Sequence, residues 1–220
     1  MSLRRELVEI CHKVYSKGFV SAYDGNLSVR IDDHKILITP SGKCKGDIEE
    51  DDLLEIDIYG NLLNGTGKIS TEVKIHLTAY QKRNDVRAVI HCHPVHATAF
   101  AIIGEGLMRP VFPEVILSLG KVPLCKYGTP STDELPNSML PYIDFVWALL
   151  LENHGAVTFG KCIKGAYYRM EKLEWAAHTI SVARTIGREK SLPLNKLKDL
   201  YSISEEVYGI KIDKRNRFDF

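Results

Sequence analysis

The chain has 220 residues, which is long enough for one sizeable hydrophobic core, so we expect a single domain over residues 1–220. Its 29 Lys and Arg nearly balance its 28 Asp and Glu, which argues against nucleic acid or an anionic membrane as the main partner. The longest apolar runs, 99–103 and 145–151, are far shorter than the roughly 20 residues that cross a bilayer. Five Cys without CxxC spacing, and a charged first segment without a signal peptide, predict a cytoplasmic protein with reduced thiols.

The first third of the chain is predicted to contain a helix, two hairpins and a second helix. Apolar residues recur at helical spacing near the start, and short apolar runs between turn residues then predict strands. The second helix follows Ser70 and Thr71, either of which is a suitable N-cap. The predicted segments are a helix over 3–17, strands over 26–31, 35–39, 52–58 and from 61, and a helix over 72–82.

The rest of the chain is predicted to mix short apolar segments with longer helices. The run from Ala88 to Ile90 predicts a buried strand, and the charged tail from residue 191 predicts a short helix with a loose terminus. We expect this tail to be mobile from about residue 205. The other predicted segments are helices over 96–103, 132–140 and 163–186, apolar segments of undetermined type over 115–119 and 122–125, a strand or buried segment over 145–151, and its continuation over 156–159.

Two histidines end the predicted strand that begins at Ala88. Residues two apart in a strand point to the same face, so His91 and His93 project together and could hold one divalent metal. The pair alone is equally consistent with ordinary hydrogen-bonding histidines, because zinc takes three to four ligands. A further candidate ligand, His154, follows the apolar run 145–151 in a similar position.

Glu72 and His76 lie four residues apart on the second helix and therefore face the same side. Glu72 in the first helical turn could be a favourable partner of the helix dipole and no more. The alternative places Glu72 beside the metal, as ligand or base, with His76 supporting it.

Three pairs of small or hydroxyl residues occupy predicted loops or the start of a helix. Most such segments are turns or caps, but their backbone N–H groups and short side chains also suit an anion such as phosphate. The pairs are Gly25 and Asn26, Ser41 and Gly42, and Ser70 and Thr71.

The segments GNLSVR, ITPSGK, STE, HCHPVHATA and ENHG, in this order and spacing, resemble the class II aldolase/adducin family over about residues 7–184. The resemblance implies an α/β fold, a three-layer α/β/α sandwich around a mixed, mostly antiparallel central sheet. It also implies a homo-oligomer, a C4 tetramer with sites at subunit interfaces. A small phosphorylated sugar is the implied partner.

The resemblance further implies that His91, His93 and His154 bind one Zn²⁺ per subunit. Glu72 would be the fourth ligand at rest, and would become the base when substrate chelates the metal. The six small and hydroxyl residues named above would cradle the substrate phosphate. Tyr208, in the segment YGIKI, would act as acid or base on the cleaved C–O side.

The implied activity is that of a class II, metal-dependent aldolase in carbohydrate metabolism. It would reversibly cleave a ketose 1-phosphate, similar to L-fuculose 1-phosphate, to dihydroxyacetone phosphate and a small aldehyde such as L-lactaldehyde. The family's L-ribulose-5-phosphate 4-epimerases carry Asp where Glu72 stands, which favours the aldolase.

Two other activities of the family remain as alternatives, and the chain departs from the aldolase pattern in one place. An L-ribulose-5-phosphate 4-epimerase-like or methylthioribulose-phosphate dehydratase-like enzyme would use the same site, whereas an adducin-type interaction module would lack the metal-binding histidines. The bacterial aldolases have a second active-site Tyr where this chain has Glu114, and this departure leaves the aldehyde partner open.

Overall fold

The fold is seen in a computed structural model that describes residues 2–207 and 209–218. In these residues eight strands form one sheet in the order β4-β3-β2-β1-β5-β8-β7-β6. Each neighbouring pair is antiparallel except β6 and β7, which are parallel. The strands are β1 (Asn26–Arg30), β2 (Lys35–Ile38), β3 (Leu54–Asp57), β4 (Leu62–Asn64), β5 (Ala88–Cys92), β6 (Leu124–Cys125), β7 (Ala148–Leu151) and β8 (Gly155–Gly160).

Helices cover both faces of the sheet. The described helices are α1 (Leu3–Ser16), α2 (Val73–Lys82), α3 (Val95–Ile102), α4 (Pro113–Ser118), α5 (Glu134–Met139), α6 (Ile163–Ile186) and α7 (Leu194–Glu206). Helices α1, α3, α4 and α6 share one apolar core with one face of the sheet, and α2 and α5 share a second core with the other face. The predicted three-layer α/β/α sandwich with a mixed, mostly antiparallel sheet is thereby confirmed. No helix among the described residues is both long and apolar enough to cross a membrane.

Strand alternation decides which side chains face α2. In β5, Ala88, Ile90 and Cys92 belong to the core of α1 and α6, while Val89 belongs to the core of α2. His91 lies two residues beyond Val89 and therefore points to the α2 side. In β1, Asn26 and Ser28 have the same orientation because Leu27 points the other way.

The antiparallel order also gathers several chain segments at one end of the sheet. The start of β1 pairs with the end of β5, with Asn26 opposite His91. The end of β5 pairs with the start of β8, with Cys92 opposite Ala156. The end of β2 returns to the start of β1, so the segments beyond these strand ends all emerge at the same edge.

The bounds of several predicted segments differ from those of the observed elements. Helix α2 begins at Val73, and the hydroxyl of Ser70 accepts the backbone N–H of Glu72 at 3.2 Å instead of capping a helix from residue 72. The apolar segment 115–119, of undetermined type in the sequence, lies in helix α4 up to Ser118, and 122–125 contains the short strand β6. These pieces are too short for periodicity to distinguish helix from strand.

The C-terminal segment makes contacts that composition did not reveal. Phe218 is buried in a small cluster with Ile116, Leu197 and Tyr201, and its N–H donates to the hydroxyl of Tyr201 at 2.8 Å. The end of the described chain is therefore packed against α4 and α7.

Candidate metal and substrate site

Three histidines meet at the end of the sheet described above. His91 lies in the last two residues of β5, and His93 directly follows the strand. His154 occupies the tight turn between β7 and β8. Their ring centroids lie 4.8 to 5.2 Å apart, and a nitrogen from each ring lies within 4.8 Å of the others. The turn needs Gly155, because a Cβ there would stand 2.5 Å from the His93 ring and 2.7 Å from a backbone carbonyl. The structure thus brings together all three histidines that the sequence nominated.

The ring nitrogens of these histidines are arranged as a metal site requires. Nδ1 of His91 lies 3.0 Å from the carbonyl oxygen of Ala156, which can only accept, so Nδ1 carries the proton and Nε2 carries a lone pair. That Nε2 atom faces Nε2 of His93 at 3.1 Å. Nδ1 of His154 is buried without a hydrogen-bond partner in the described residues. Three convergent imidazoles of this kind fit a zinc-type ion.

Burial keeps His91 and His93 in the neutral form that binds metals. Removal of the rings from water lowers the pKa of both, and the neighbouring His154 lowers them further, while the carboxylate of Glu72 acts in the opposite direction. Neutral imidazoles with free lone pairs are the ligating form at neutral pH.

Glu72 places its carboxylate against this cluster from the start of α2. Its Oε1 atom is 3.0 Å from Nε2 of His154, and its Oε2 atom is 3.5 Å from Nε2 of His91. Burial acts to raise the pKa of Glu72, but the hydrogen bond from His154 and the nearby His91 outweigh it and hold the pKa below its usual value. Glu72 is therefore a carboxylate within reach of the same space as the three rings.

A chain of buried hydrogen bonds fixes the orientation of Glu72. The amide nitrogen of Asn26 donates to Oε2 of Glu72 at 3.0 Å, and its oxygen lies 2.5 Å from Nε2 of His76. Since that oxygen only accepts, His76 carries its proton on Nε2, and Nδ1 accepts from the hydroxyl of Ser28 at 2.6 Å. Tyr80 then lies 2.7 Å from Ser28. The sequence prediction joined His76 directly to Glu72, whereas the structure places Asn26 between them.

The segments predicted to bind phosphate contact one another, and the first of them lies against the end of β5. The amide of Asn26 reaches the hydroxyl of Ser70 at 3.5 Å, and the N–H of Ser41 donates to the carbonyl of Lys68 at 2.8 Å. Gly25 comes so close to the β5 end that a Cβ would lie 2.8 Å from the carbonyl of His91. Gly25 and Gly42 both have positive φ values, of 71° and 75°, which glycine adopts without strain.

A loop that the sequence reasoning missed also reaches these residues. The hydroxyl of Thr71 lies 2.6 Å from the hydroxyl of Ser131, and Lys74 pairs with Asp133 at 2.6 Å. Ser131 has a φ of 70°, which is uncommon for a residue with a side chain. The Gly-Thr-Pro-Ser sequence at 128–131 indicates a turn, but it carries no signal that the turn lies beside Thr71.

Two residues that the sequence analysis named remain to be reported, Tyr208 and Glu114. Tyr208 lies outside the described residues, so its role remains a prediction. Glu114 is exposed in the first turn of α4, where the resemblance places the second Tyr of bacterial aldolases.

The fold and the histidine cluster define a class of protein, and the chain belongs to the class II aldolase and adducin family. Residues 5–181 match the family described as Class II Aldolase and Adducin N-terminal domain. The class II aldolases are metal-dependent, and His91, His93 and His154 form a group that could bind a metal here.

Particular relatives include enzymes with two different names. The 3-oxo-tetronate 4-phosphate decarboxylase of Pectobacterium atrosepticum is 33% identical over 81% of this chain and 84% of its own. The L-fuculose phosphate aldolase of Methanococcus maripaludis strain C7 is 34% identical over 76% of this chain and 89% of its own. The crystal structure of YgbL from Klebsiella pneumoniae superposes with a TM-score of 0.84 at 29% identity, covering 90% of this chain and 97% of that one.

Proposed function

We propose that this protein is a zinc-dependent lyase that forms dihydroxyacetone phosphate by cleaving the bond between the α and β carbons of a keto sugar phosphate. The first candidate substrate is a ketose 1-phosphate similar to L-fuculose 1-phosphate, cleaved reversibly to dihydroxyacetone phosphate and a small aldehyde such as L-lactaldehyde. Relatives named L-fuculose phosphate aldolase support this candidate.

One observation carries the proposal, namely the position of the Glu72 carboxylate against the three histidines. An ionised carboxylate 3.0 Å from His154 and 3.5 Å from His91 can neutralise a cation held by the rings. The same carboxylate can exchange a proton with a carbon bound in that space. We propose Zn²⁺ because one carboxylate and three imidazoles would supply four N and O ligands of the kinds that zinc accepts.

The residues have separate parts in the cleavage. His91, His93 and His154 would hold the metal, which when bound supplies a Lewis acid that stabilises the negative charge left by C–C cleavage. Glu72 would yield its place to the substrate and then deliver a proton to the carbon on the ketone side. Asn26 and its partner His76 keep Glu72 oriented for this transfer. Tyr208 is proposed to take the hydroxyl proton that becomes available as the aldehyde forms.

The substrate phosphate is proposed to bind in the cradle of small residues beside the metal. Gly42 in particular offers an exposed backbone N–H at positive φ, a conformation that forms concave anion sites. The proposed cradle comprises Gly25, Asn26, Ser41, Gly42, Ser70 and Thr71.

A second candidate reaction is decarboxylation. Loss of carbon dioxide from a 3-oxo-tetronate 4-phosphate also leaves dihydroxyacetone phosphate, so the ketone side of both reactions is the same. The relatives named decarboxylase support it. It is also favoured by Glu114, because a departing carbon dioxide needs no Tyr to handle an aldehyde oxygen.

Product identification tests the proposal. Metal-loaded protein is incubated with dihydroxyacetone phosphate and a panel of short aldehydes, and separately with 3-oxo-tetronate 4-phosphate. We expect either a new ketose 1-phosphate or released carbon dioxide with dihydroxyacetone phosphate. If neither appears but a pentulose 5-phosphate is epimerised or a methylthioribulose phosphate is dehydrated, the lyase proposal is wrong.

The remaining assignments are the compartment and the assembly. We propose a cytoplasmic enzyme, in keeping with five cysteines that are free in the structure. We also propose that the chain assembles as a C4 tetramer, as the family resemblance implies.

A further inference from the structure

Lys45 is a charged side chain in an unusual place. It is fully buried, with 0% of its surface exposed. Taking an ammonium group out of water is costly unless polar groups compensate for the lost hydration. In the described residues no carboxylate lies within ion-pairing distance of it. Its role must therefore come from the groups that it does contact.

Those contacts are two backbone carbonyl oxygens. Nζ of Lys45 donates to the carbonyl of Tyr23 at 3.1 Å and to the carbonyl of Lys43 at 2.9 Å. Tyr23 belongs to the segment 21–26, which ends with the first residue of β1 and is named the first loop below. Lys43 belongs to the segment 40–43, which follows β2 and is named the second loop.

Two other contacts tie the same loops to the segment 68–71, named the third loop. The N–H of Ser41 in the second loop donates to the carbonyl of Lys68 at 2.8 Å. Asn26 in the first loop reaches Ser70 at 3.5 Å and Glu72 at 3.0 Å. The three loops are thus linked in a closed ring of contacts, and Lys45 makes the link between the first loop and the second.

The ring matters because each loop carries one pair of the proposed phosphate donors. Gly25 and Gly42 lie on the two loops that Lys45 joins, and both have positive φ values. An anion that contacts both loops binds well only if their separation is fixed before it arrives. A buried positive charge behind the loops also adds to the attraction for an anion.

We propose that Lys45 is a positioning residue for substrate phosphate, holding the first and second loops at the separation at which both reach the anion. This inference rests on the proposed function, since it takes those loops as the phosphate cradle. A methionine would fill a similar volume without making the two hydrogen bonds, so Lys45→Met removes the link and leaves the packing.

The test compares Lys45→Met with a matched control, Lys82→Met, which removes the same charge from the exposed last turn of α2. Binding of inorganic phosphate is measured by titration on metal-loaded protein. Loss of two charge-assisted hydrogen bonds is expected to weaken phosphate binding by about tenfold or more in Lys45→Met. The control should stay within about twofold of the wild type.

A second measurement separates positioning from general damage. Solvent proton exchange is followed for dihydroxyacetone phosphate and for dihydroxyacetone, which lacks the phosphate. In Lys45→Met we expect KM for the phosphorylated compound to rise by about tenfold, with kcat and the exchange of dihydroxyacetone nearly unchanged. Equal losses on both compounds would show a merely structural role and overturn the inference.

Failure of the inference can be told from failure of the proposed function. If wild-type protein exchanges neither compound, the proposed function is wrong, while phosphate titration still tests Lys45. Unchanged phosphate affinity in Lys45→Met overturns the inference whatever the activity.

If Lys45→Met does not fold, the same measurements are made on Lys45→Gln, whose amide can donate two hydrogen bonds but carries no charge. If Lys45→Gln binds phosphate as strongly as the wild type, the inference that the charge of Lys45 is needed is overturned. Weaker binding by Lys45→Gln would support that inference.

Discussion

The two oxygens of Glu72 have different neighbours, and this asymmetry defines the chemistry that we expect at the residue scale. Oε1 faces His154 at 3.0 Å, while Oε2 accepts from Asn26 at 3.0 Å. Asn26 is itself held by His76, so the carboxylate cannot rotate without breaking its hydrogen bond to a fixed amide. A carboxylate held in this way would stay oriented for the proton transfer that we propose.

Replacing Glu72 by Gln should separate metal binding from proton transfer. Three histidines remain in Glu72→Gln, so elemental analysis should still find close to one metal per chain. Proton exchange at the hydroxymethyl carbon of dihydroxyacetone phosphate should fall by about 10² to 10⁴-fold, the usual contribution of a positioned acid or base. The control Glu205→Gln, at an exposed position on α7, should keep both the metal and the proton exchange. Full exchange in Glu72→Gln would remove this residue from the proposed role.

His76 should make the stability of the protein depend on pH. Burial lowers the pKa of His76 to about 3, while the nearby Glu72 acts weakly the other way. An unfolded chain takes up this proton near pH 6.5 and the folded protein does not, so stability is complete above that pH and is lost as the pH falls below it.

The size of this effect can be measured by urea unfolding between pH 7 and pH 5. The wild type should lose about 2 kcal/mol more of its free energy of unfolding over this range than His76→Gln, which has no proton to bind. Other buried histidines contribute equally to both proteins and cancel in the difference. His34→Gln, in the exposed turn before β2, should behave as the wild type does. Parallel curves for wild type and His76→Gln would contradict a buried neutral His76.

At the scale of elements, α6 fixes the helix that follows the histidine pair. Helix α3 starts at Val95 with Pro94 at its N-cap, and Pro94 has no side-chain acceptor to offer. The carboxylate of Glu174 on α6 caps the helix instead. It accepts the N–H of His96 at 3.0 Å and the N–H of Ala97 at 2.9 Å. A carboxylate at a helix N-terminus also interacts favourably with the helix dipole.

Glu174→Gln should therefore destabilise the protein through α3. We expect a loss of about 1 kcal/mol in the free energy of unfolding, the usual value of a helix cap. The control is Glu171→Gln, on the same helix, whose ion pair with Lys17 is partly exposed and worth at most a few tenths of that. Urea unfolding of both variants provides the comparison. An equal effect in the two would show that the contact of Glu174 with α3 has no special weight.

Sequence patterns predicted the elements that have a clear period or strong local signals. Helix α6 was predicted over 163–186 as observed, and His91, His93 and His154 were nominated because each ends an apolar run. The patterns could not find Glu174 or Lys45. Glu174 accepts from backbone groups far away in the chain, and Lys45 contacts loops that have no periodic sequence pattern. Ser131 escaped for the same reason. Such contacts depend on how elements pack, and a single sequence does not contain that arrangement in local form.

At the scale of the whole molecule, the order of the strands creates the site. Because β1, β5 and β8 alternate in direction, the start of one lies beside the end of the next, and their flanking segments emerge together. The three candidate metal-binding histidines, the carboxylate of Glu72 and the proposed phosphate loops therefore share one end of the sheet. A different strand order would place these groups at different ends of the sheet.

The assembly proposed from the family resemblance is testable by mass. A C4 tetramer should have four times the 24.8 kDa mass of the chain in light scattering on a sizing column. The mass should hold over a wide range of protein concentration, as expected for a closed ring. A stable monomer mass would contradict the proposal.

The most direct measurement of the central claim is deuterium uptake by dihydroxyacetone phosphate in heavy water, followed by proton NMR. Both candidate reactions pass through the same ketone-side carbon, so the measurement does not depend on which one is natural. With zinc-loaded wild-type protein we expect one hydrogen of the hydroxymethyl carbon to exchange, and we expect a chelator to stop the exchange and added zinc to restore it. Zinc-loaded protein that binds dihydroxyacetone phosphate without any exchange would contradict the account.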